Sequence, residues 1–578
     1  MRKGCGTVDK PQYMRTGGNA FRILAGAVSF FMGTAIYYTV KIGWYPQSED
    51  WKGHVQILRS TDIFYILLWA ALSFAGLRLL FKVLDRIREK EVEEVLPHPL
   101  TGPPFALTVF FLLLMWMPFF IVFFPGTGMN DTTDILRYGF WAAGQHTVLY
   151  CLYLGGLGEA SDLLTGSMTA GLAAASLIQM FLMAMALAGA VTWLYRRTGS
   201  SWGAAALAFY YGLTPMIVNY SFADVKDTFF SVMMLLWVPL LYELAESPDQ
   251  ETTWRQWKRE FIIFSLGLLM LRNNGPYIYV VLMVCLTAAL SKIRWTVMCT
   301  GSILFFVSMV PNLMLNVFLD LPQLFQERVG IPIQQVARVV DSGKPLTPAE
   351  SAYLSRIMWP GKMASEYDPF TADGIKWNSY FDQEYFNAHP DEFMDVWKSM
   401  GKRYPEIYAE AWLLATYGYW SFPAPDGETQ SRFGWAMSDR DMTRGMDPGD
   451  NNAYRSGTVL RLFSPALQEK MGRYLFDHSR YLGAGTCFWI MTAVGLFLIK
   501  RKKYRKLIIL MPAFLCWGTL IAATPAAFVF RYVFFFPLCM PLFLMLPFLP
   551  DRPDETEGGK PLWERSPVNG GRSFLDEK

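Results

Sequence analysis

Apolar runs of about twenty residues, the length that crosses a hydrocarbon core of about 30 Å, recur along this 578-residue chain. No other feature narrows its possible folds as far. In lipid every backbone N–H and C=O must be paired internally, which leaves helices or closed barrels. Unbroken apolar runs, rather than short alternating segments, point to helices. Hydropathy places twelve spans near 21–40, 61–81, 104–124, 169–195, 201–219, 228–244, 260–271, 277–291, 295–318, 483–499, 507–529 and 532–549. The chain is 52% hydrophobic and 17% charged, against roughly 25% charged in soluble domains. These values exclude an ordinary cytosolic enzyme and a secreted domain. A net charge of +3 is too small to suggest a nucleic-acid partner.

The lysines and arginines set an expected sidedness. With the N-terminus inside, segments 1–22, 82–103, 196–197, 245–259, 292–294, 500–506 and 550–578 hold 27 of the 52 cations, and the short outer loops hold seven. Segment 319–482 carries 17 more, but long translocated domains are exempt from the rule. An even number of spans returns the C-terminus to the cytoplasm. The expected class is therefore mainly α, a polytopic transmembrane helix bundle of about twelve spans in a cell membrane, with an outward-facing, mostly helical extramembrane domain.

The expected division has five parts. Residues 1–103 form a two-span extension with a basic cytoplasmic tail, read as an uncleaved anchor. Residues 104–321 form the membrane core, with an outer loop at 125–168 built of interfacial helices. Residues 322–482 form the extracytoplasmic domain, 483–549 three further spans, and 550–578 a disordered cytoplasmic tail. Within the outer domain, 347–357 and 389–417 read as helical and 421–456 as loop. No cysteine lies in 322–482, so no disulfide framework supports it. No solenoid repeat and no inverted repeat is visible.

The candidate chemistry lies in the outer loops. Asp131 and Asp134 stand one helical turn apart after a Pro-Gly turn and can share a helix face. One could be a general base or a cation ligand; Asp131 could equally be an N-cap. Lys226 and Asp227 sit at the mouth of a span, where a charge carried into the bilayer costs about 2.5–3.5 kcal/mol. They read either as phosphate contacts or as an interfacial anchor. Arg272, in Arg272-Asn273-Asn274-Gly275-Pro276 between two short apolar helices, needs an anion or carboxylate partner, unless it snorkels to the interface. Arg531, in FVFRYVFFFP, has the same character. His146 and, at the start of the outer domain, Gln334, Gln335 and Arg338 are possible substrate contacts or structural residues.

These strings resemble the GT-C superfamily, membrane glycosyltransferases that take a sugar from a polyprenyl-phosphate donor on the outer side of the membrane. More closely, FPGTGMND, the His146 region, ADVKDTFF, LRNNGPY, GIPIQQVAR and RYVFFFP look like a bacterial multispan family of unknown function that shares the GT-C plan. The resemblance covers roughly 104–545, and the first two spans look like an addition. It implies that Asp131 is the catalytic base and Asp134 its neighbour or a cation ligand. Lys226, Arg272 and Arg531 would then hold the donor phosphate, with Asp227 positioning Lys226. No DxD occurs in the first outer loop, and Thr147 follows His146 where the plan carries proline.

The expected function is thus transfer of a sugar from a polyprenyl-phosphate-linked donor to a cell-envelope acceptor, with a divalent cation as a possible cofactor. The alternatives are a transporter or flippase for a lipid-linked substrate, and a non-catalytic envelope-assembly protein. Polar features gathered at one face weigh against transport, whose sites lie near the bilayer midplane.

Overall fold

A computed structural model describes residues 12–43, 57–90, 105–319 (apart from 129 and 145), 324–422, 465–476 and 483–551 (apart from 525 and 528). Most of the expected loop at 421–456 and of the expected tail at 550–578 lies outside the described residues. The described residues are mainly helical, without a strand. Isolated bridges pair Thr127 with Ala223, Asp368 with Thr371, and Thr371 with Ala526.

Among the described residues, seven helices are long and apolar enough to cross a membrane: Asn19–Ile42, Asp62–Ile87, Phe105–Val122, Thr169–Thr198, Lys226–Glu246, Arg294–Met314 and Tyr504–Ala523. Three shorter apolar helices, Gly275–Ala289, Ala484–Lys500 and Phe530–Met545, accompany them. Two expected spans take another form. The 201–219 run is split, because Thr214 is extended and Pro215 opens a separate short helix, Pro215–Ser221; proline has no N–H with which to continue the one before it. The 260–271 run is the apolar half of helix Gln250–Met270. Its polar start is capped by Asp249, whose side chain accepts from the N–H groups of Glu251 and Thr252.

Helix Lys226–Glu246 runs through the middle of the bundle, buried along most of its length, as its apolar residues on every face require. Charges collect at both of its ends. At the C-terminal end Glu243 pairs with Arg197, Asp85 with Lys500 at 2.5 Å and Arg501 at 3.3 Å, and Asp551 with Lys503 and Lys506. The buried Lys506 ammonium also donates to the Leu549 carbonyl at 2.7 Å. At the N-terminal end lie Lys226 and Asp227, and two further layers close over them.

One layer is segment 130–165, folded into helices Asn130–Tyr138, Val148–Tyr150 and Gly156–Thr165 with 3-10 and π turns between them. The other is 324–422, whose helices Gly330–Asp341, Pro348–Ile357, Pro390–Arg403 and Pro405–Ala415 surround a core of their own that includes Val336, Leu354, Phe386 and Met400. This domain docks on the bundle beside Arg531. Ala527 N–H donates to the Phe370 carbonyl at 2.8 Å, and the Trp412 indole donates to the Ile521 carbonyl at 2.9 Å. The N-terminal hairpin joins the same layer, where Glu410 accepts from the N–H groups of Ile57 and Leu58 at 2.8 and 2.9 Å.

Candidate functional site

Four separate breaks in the helical pattern deliver the charges to one place. Asp131 lies in the first turn of helix Asn130–Tyr138. Lys226 and Asp227 open helix Lys226–Glu246 after the extended Val225. Arg272 occupies the gap between helices Gln250–Met270 and Gly275–Ala289. The gap is tight: a Cβ at position 275 would stand 1.8 Å from the Leu268 carbonyl oxygen. Arg531 lies on the 3-10 turn Phe530–Val533.

The side chains form a continuous chain of ion pairs. Asp131 receives Lys226 Nζ on Oδ2 at 3.1 Å and Arg531 Nη1 on Oδ1 at 3.2 Å. Arg531 then reaches Asp227 Oδ2 at 3.8 Å, and Asp227 Oδ1 is met by Arg272 Nε at 3.0 Å. Arg272 is further fixed by donating to the Tyr532 carbonyl at 3.2 Å, and its guanidinium lies 4.6 Å from the Tyr532 ring and 5.3 Å from the Phe230 ring. His146 Nδ1 stands 2.9 Å from Lys226 Nζ and 3.9 Å from Asp131 Oδ2.

A family model matches residues 141–560, well over half of the chain, and is described as a family of unknown function, DUF6020. The chain belongs to that family. Within the DUF6020 match lie His146, Lys226, Asp227, Arg272 and Arg531, whereas Asp131 and Asp134 precede it. No curated protein and no solved structure matches the chain.

The electrostatics of this DUF6020 cluster follow from burial and charge. Burial works against ionisation of Asp131, but Lys226 and then Arg531 override it and hold the carboxyl well below the usual carboxylate range. Burial, followed by the Lys226 ammonium, pushes the His146 imidazole down to about 4, so the ring is neutral at pH 7. An ammonium can only donate, so Nδ1 accepts and Nε2 carries the hydrogen. That Nε2 is buried without a hydrogen-bond partner. With His146 neutral, three cations face two carboxylates.

The other candidates are placed differently. Asp134 is half-buried one turn along from Asp131, and the pairs that define the cluster run through Asp131. Gln334, Gln335 and Arg338 lie inside the 324–422 helical layer with internal partners. Gln334 donates to the Asp368 carbonyl at 2.8 Å; Gln335 donates to the Tyr408 carbonyl at 3.2 Å and accepts from the Trp397 indole at 2.7 Å. Arg338 is buried against Glu410 at 2.9 Å. Among the described residues, no three His, Cys, Asp or Glu side chains gather where they could hold a metal ion.

Asp224 is a residue that reasoning from the sequence passes over. It is fully buried, and its Oδ2 accepts from Ser176 at 2.8 Å while Oδ1 has no hydrogen-bond partner. Burial raises its carboxyl far above the usual range, against the hydrogen bond from Ser176. Its own carbonyl accepts from Thr132 Oγ1 at 2.6 Å and its N–H donates to the Thr127 carbonyl at 2.8 Å, so it ties the Lys226 loop to the Asp131 helix. Three ionisable residues within Asp224-Val225-Lys226-Asp227 were the available signal. Nothing in that string says which carboxyl lacks a cation.

Proposed function

We propose that this protein is a membrane glycosyltransferase that moves a sugar from a polyprenyl-phosphate-linked donor to a cell-envelope acceptor. The observation that carries this reading is Asp131 held between Lys226 and Arg531, with Arg272 joined to Arg531 through Asp227. A phosphate presented at the membrane surface needs cations at a helix mouth, and the cluster offers three around two carboxylates. The family resemblance and the excess of cations in the segments assigned to the cytoplasm support placing this end of the bundle outside.

In this mechanism the donor phosphate recruits Lys226, Arg272 and Arg531. Asp131 is a weak base while Lys226 and Arg531 are on it. As they turn to the phosphate, its basicity rises towards that of an ordinary carboxylate, and an acceptor hydroxyl takes their place. Asp131 removes the hydroxyl proton and the hydroxyl oxygen bonds to the anomeric carbon. The bond from that carbon to the phosphate oxygen breaks, and polyprenyl phosphate leaves with the electron pair, its charge met by the three cations. His146 Nε2–H is a donor available to the phosphate or the sugar.

The test is a cell carrying Asp131→Asn at the native locus, compared with wild type for the sugar composition of its envelope glycans. Loss of one sugar while the protein remains folded in the membrane is expected. Unchanged composition would remove Asp131 as base. If the cluster were only a structural lock, the variant would fail to accumulate instead.

A further inference from the structure

The extramembrane domain buries most of its aromatic residues, among them Phe381, Phe386 and Phe393. Three stay in the open: Trp359 at 70% exposure, Tyr380 at 70% and Trp377 at 45%. They lie on two neighbouring loops, joined where Asp382 N–H donates to the Ile357 carbonyl at 2.8 Å. Each ring has a defined support. The Trp359 indole rests on the start of its own helix, so that a Cβ at Gly361 would stand 3.2 Å from the ring. Lys362 Nζ sits 5.0 Å from the Tyr380 ring centre, and Lys376 Nζ 5.7 Å from that of Trp377.

We propose that Trp359, Trp377 and Tyr380 form a stacking platform for the sugar rings of a neutral glycan, the acceptor chain of the transfer reaction. An exposed aromatic face can cover the C–H face of a pyranose, while flanking polar groups bond its hydroxyls. Charge decides the occupant. Both nearby lysines are already matched, Lys362 by Glu366 at 2.5 Å and Lys376 by Glu327 at 3.0 Å and Asp373 at 3.1 Å. Segment 356–382 holds three cations, Arg356, Lys362 and Lys376, against four acids, Glu366, Asp368, Asp373 and Asp382. A surface made for anionic lipid headgroups carries a net positive charge; this segment, with one acid more than its cations and Arg356 lying on the Tyr385 ring, suits an uncharged polyhydroxyl ligand. The platform also continues along the chain into the lip of the site. Thr371 bridges to Ala526 and Phe370 accepts from Ala527, a few residues before Arg531.

Calling the glycan the acceptor rests on the transferase reading; binding itself does not. The test is hydroxyl-radical footprinting of the full-length protein in nanodiscs, with and without linear hexasaccharides of glucose, mannose, galactose and N-acetylglucosamine. Trp359 and Tyr380 are expected to be oxidised in the absence of sugar and protected at least threefold by one of the hexamers. A Trp359→Ala/Tyr380→Ala variant should unfold at the wild-type temperature and bind that hexamer at least tenfold more weakly by calorimetry. Protection by the bilayer alone would make the rings a membrane anchor and overturn the proposal, as would hexamers that leave both rings unprotected. Asp131→Asn should bind the hexamer like wild type, so loss of transfer and loss of glycan binding are read separately.

Discussion

Asp131 and Lys226 are 95 positions apart in the chain and meet at 3.1 Å. The contact joins segment 125–168 to the start of helix Lys226–Glu246 through charge, and the polar pairing beneath it fixes the two backbones. Thr127 and Ala223 form a bridge there, Thr132 donates to the Asp224 carbonyl, and Gly126, at φ +139°, lets the loop approach. A Cβ at position 126 would stand 2.1 Å from Ser176 Oγ.

Arg272→Ala leaves the buried Asp227 carboxylate with Arg531 at 3.8 Å as its remaining ion-pair partner. Stranding one member of a buried pair costs about 3–5 kcal/mol. The variant should unfold at a distinctly lower temperature in detergent, and Arg272→Lys should recover part of the loss. Equal midpoints for wild type and Arg272→Ala would show that the pair contributes nothing to stability.

His146 gives stability a pH dependence of known sign. Its pKa falls from 6.5 to about 4 on folding, so the unfolded chain binds the extra proton first. The contribution is present in full above pH 6.5 and is lost as pH falls from there through about 4. His146→Gln, which carries no titrating ring, should flatten that part of the profile in thermal melts between pH 4 and 7. A slope unchanged by the substitution would assign it elsewhere.

Asp224→Asn should be nearly neutral for folding, because burial pushes this carboxyl towards its uncharged form and the amide keeps an acceptor for Ser176. Asp227→Asn removes a charge that Arg272 and Arg531 both face and should be much more costly. Chemical denaturation of the two variants side by side checks the difference. A large loss in Asp224→Asn would mean that this group is charged.

Arg338→Ala tests the placement of that residue away from the cluster. It strands Glu410, which also holds the backbone at Ile57 and Leu58, at a cost of about 3–5 kcal/mol. The amount of folded protein should fall, while the envelope product per folded molecule should not. A reduced product per folded molecule would return Arg338 to the site.

The sequence by itself determined the class and the helical material. In lipid only helices and closed barrels satisfy the backbone, unbroken apolar runs of about twenty residues select helices, and Gly275 with Pro276 marks the break that holds Arg272. It also singled out the cluster residues, because a cation inside apolar surroundings needs a partner. The sequence did not determine which partner each would take. Gln334, Gln335 and Arg338 are polar residues like Lys226 and Arg272, yet they pair inside the 324–422 layer. Asp224 and Asp227 are three residues apart in one string, and only the path of the chain gives one of them two arginines and the other a serine. Partner choice lived in the tertiary structure, because ion pairs act over a few ångströms and the residues that form them lie up to hundreds of positions apart.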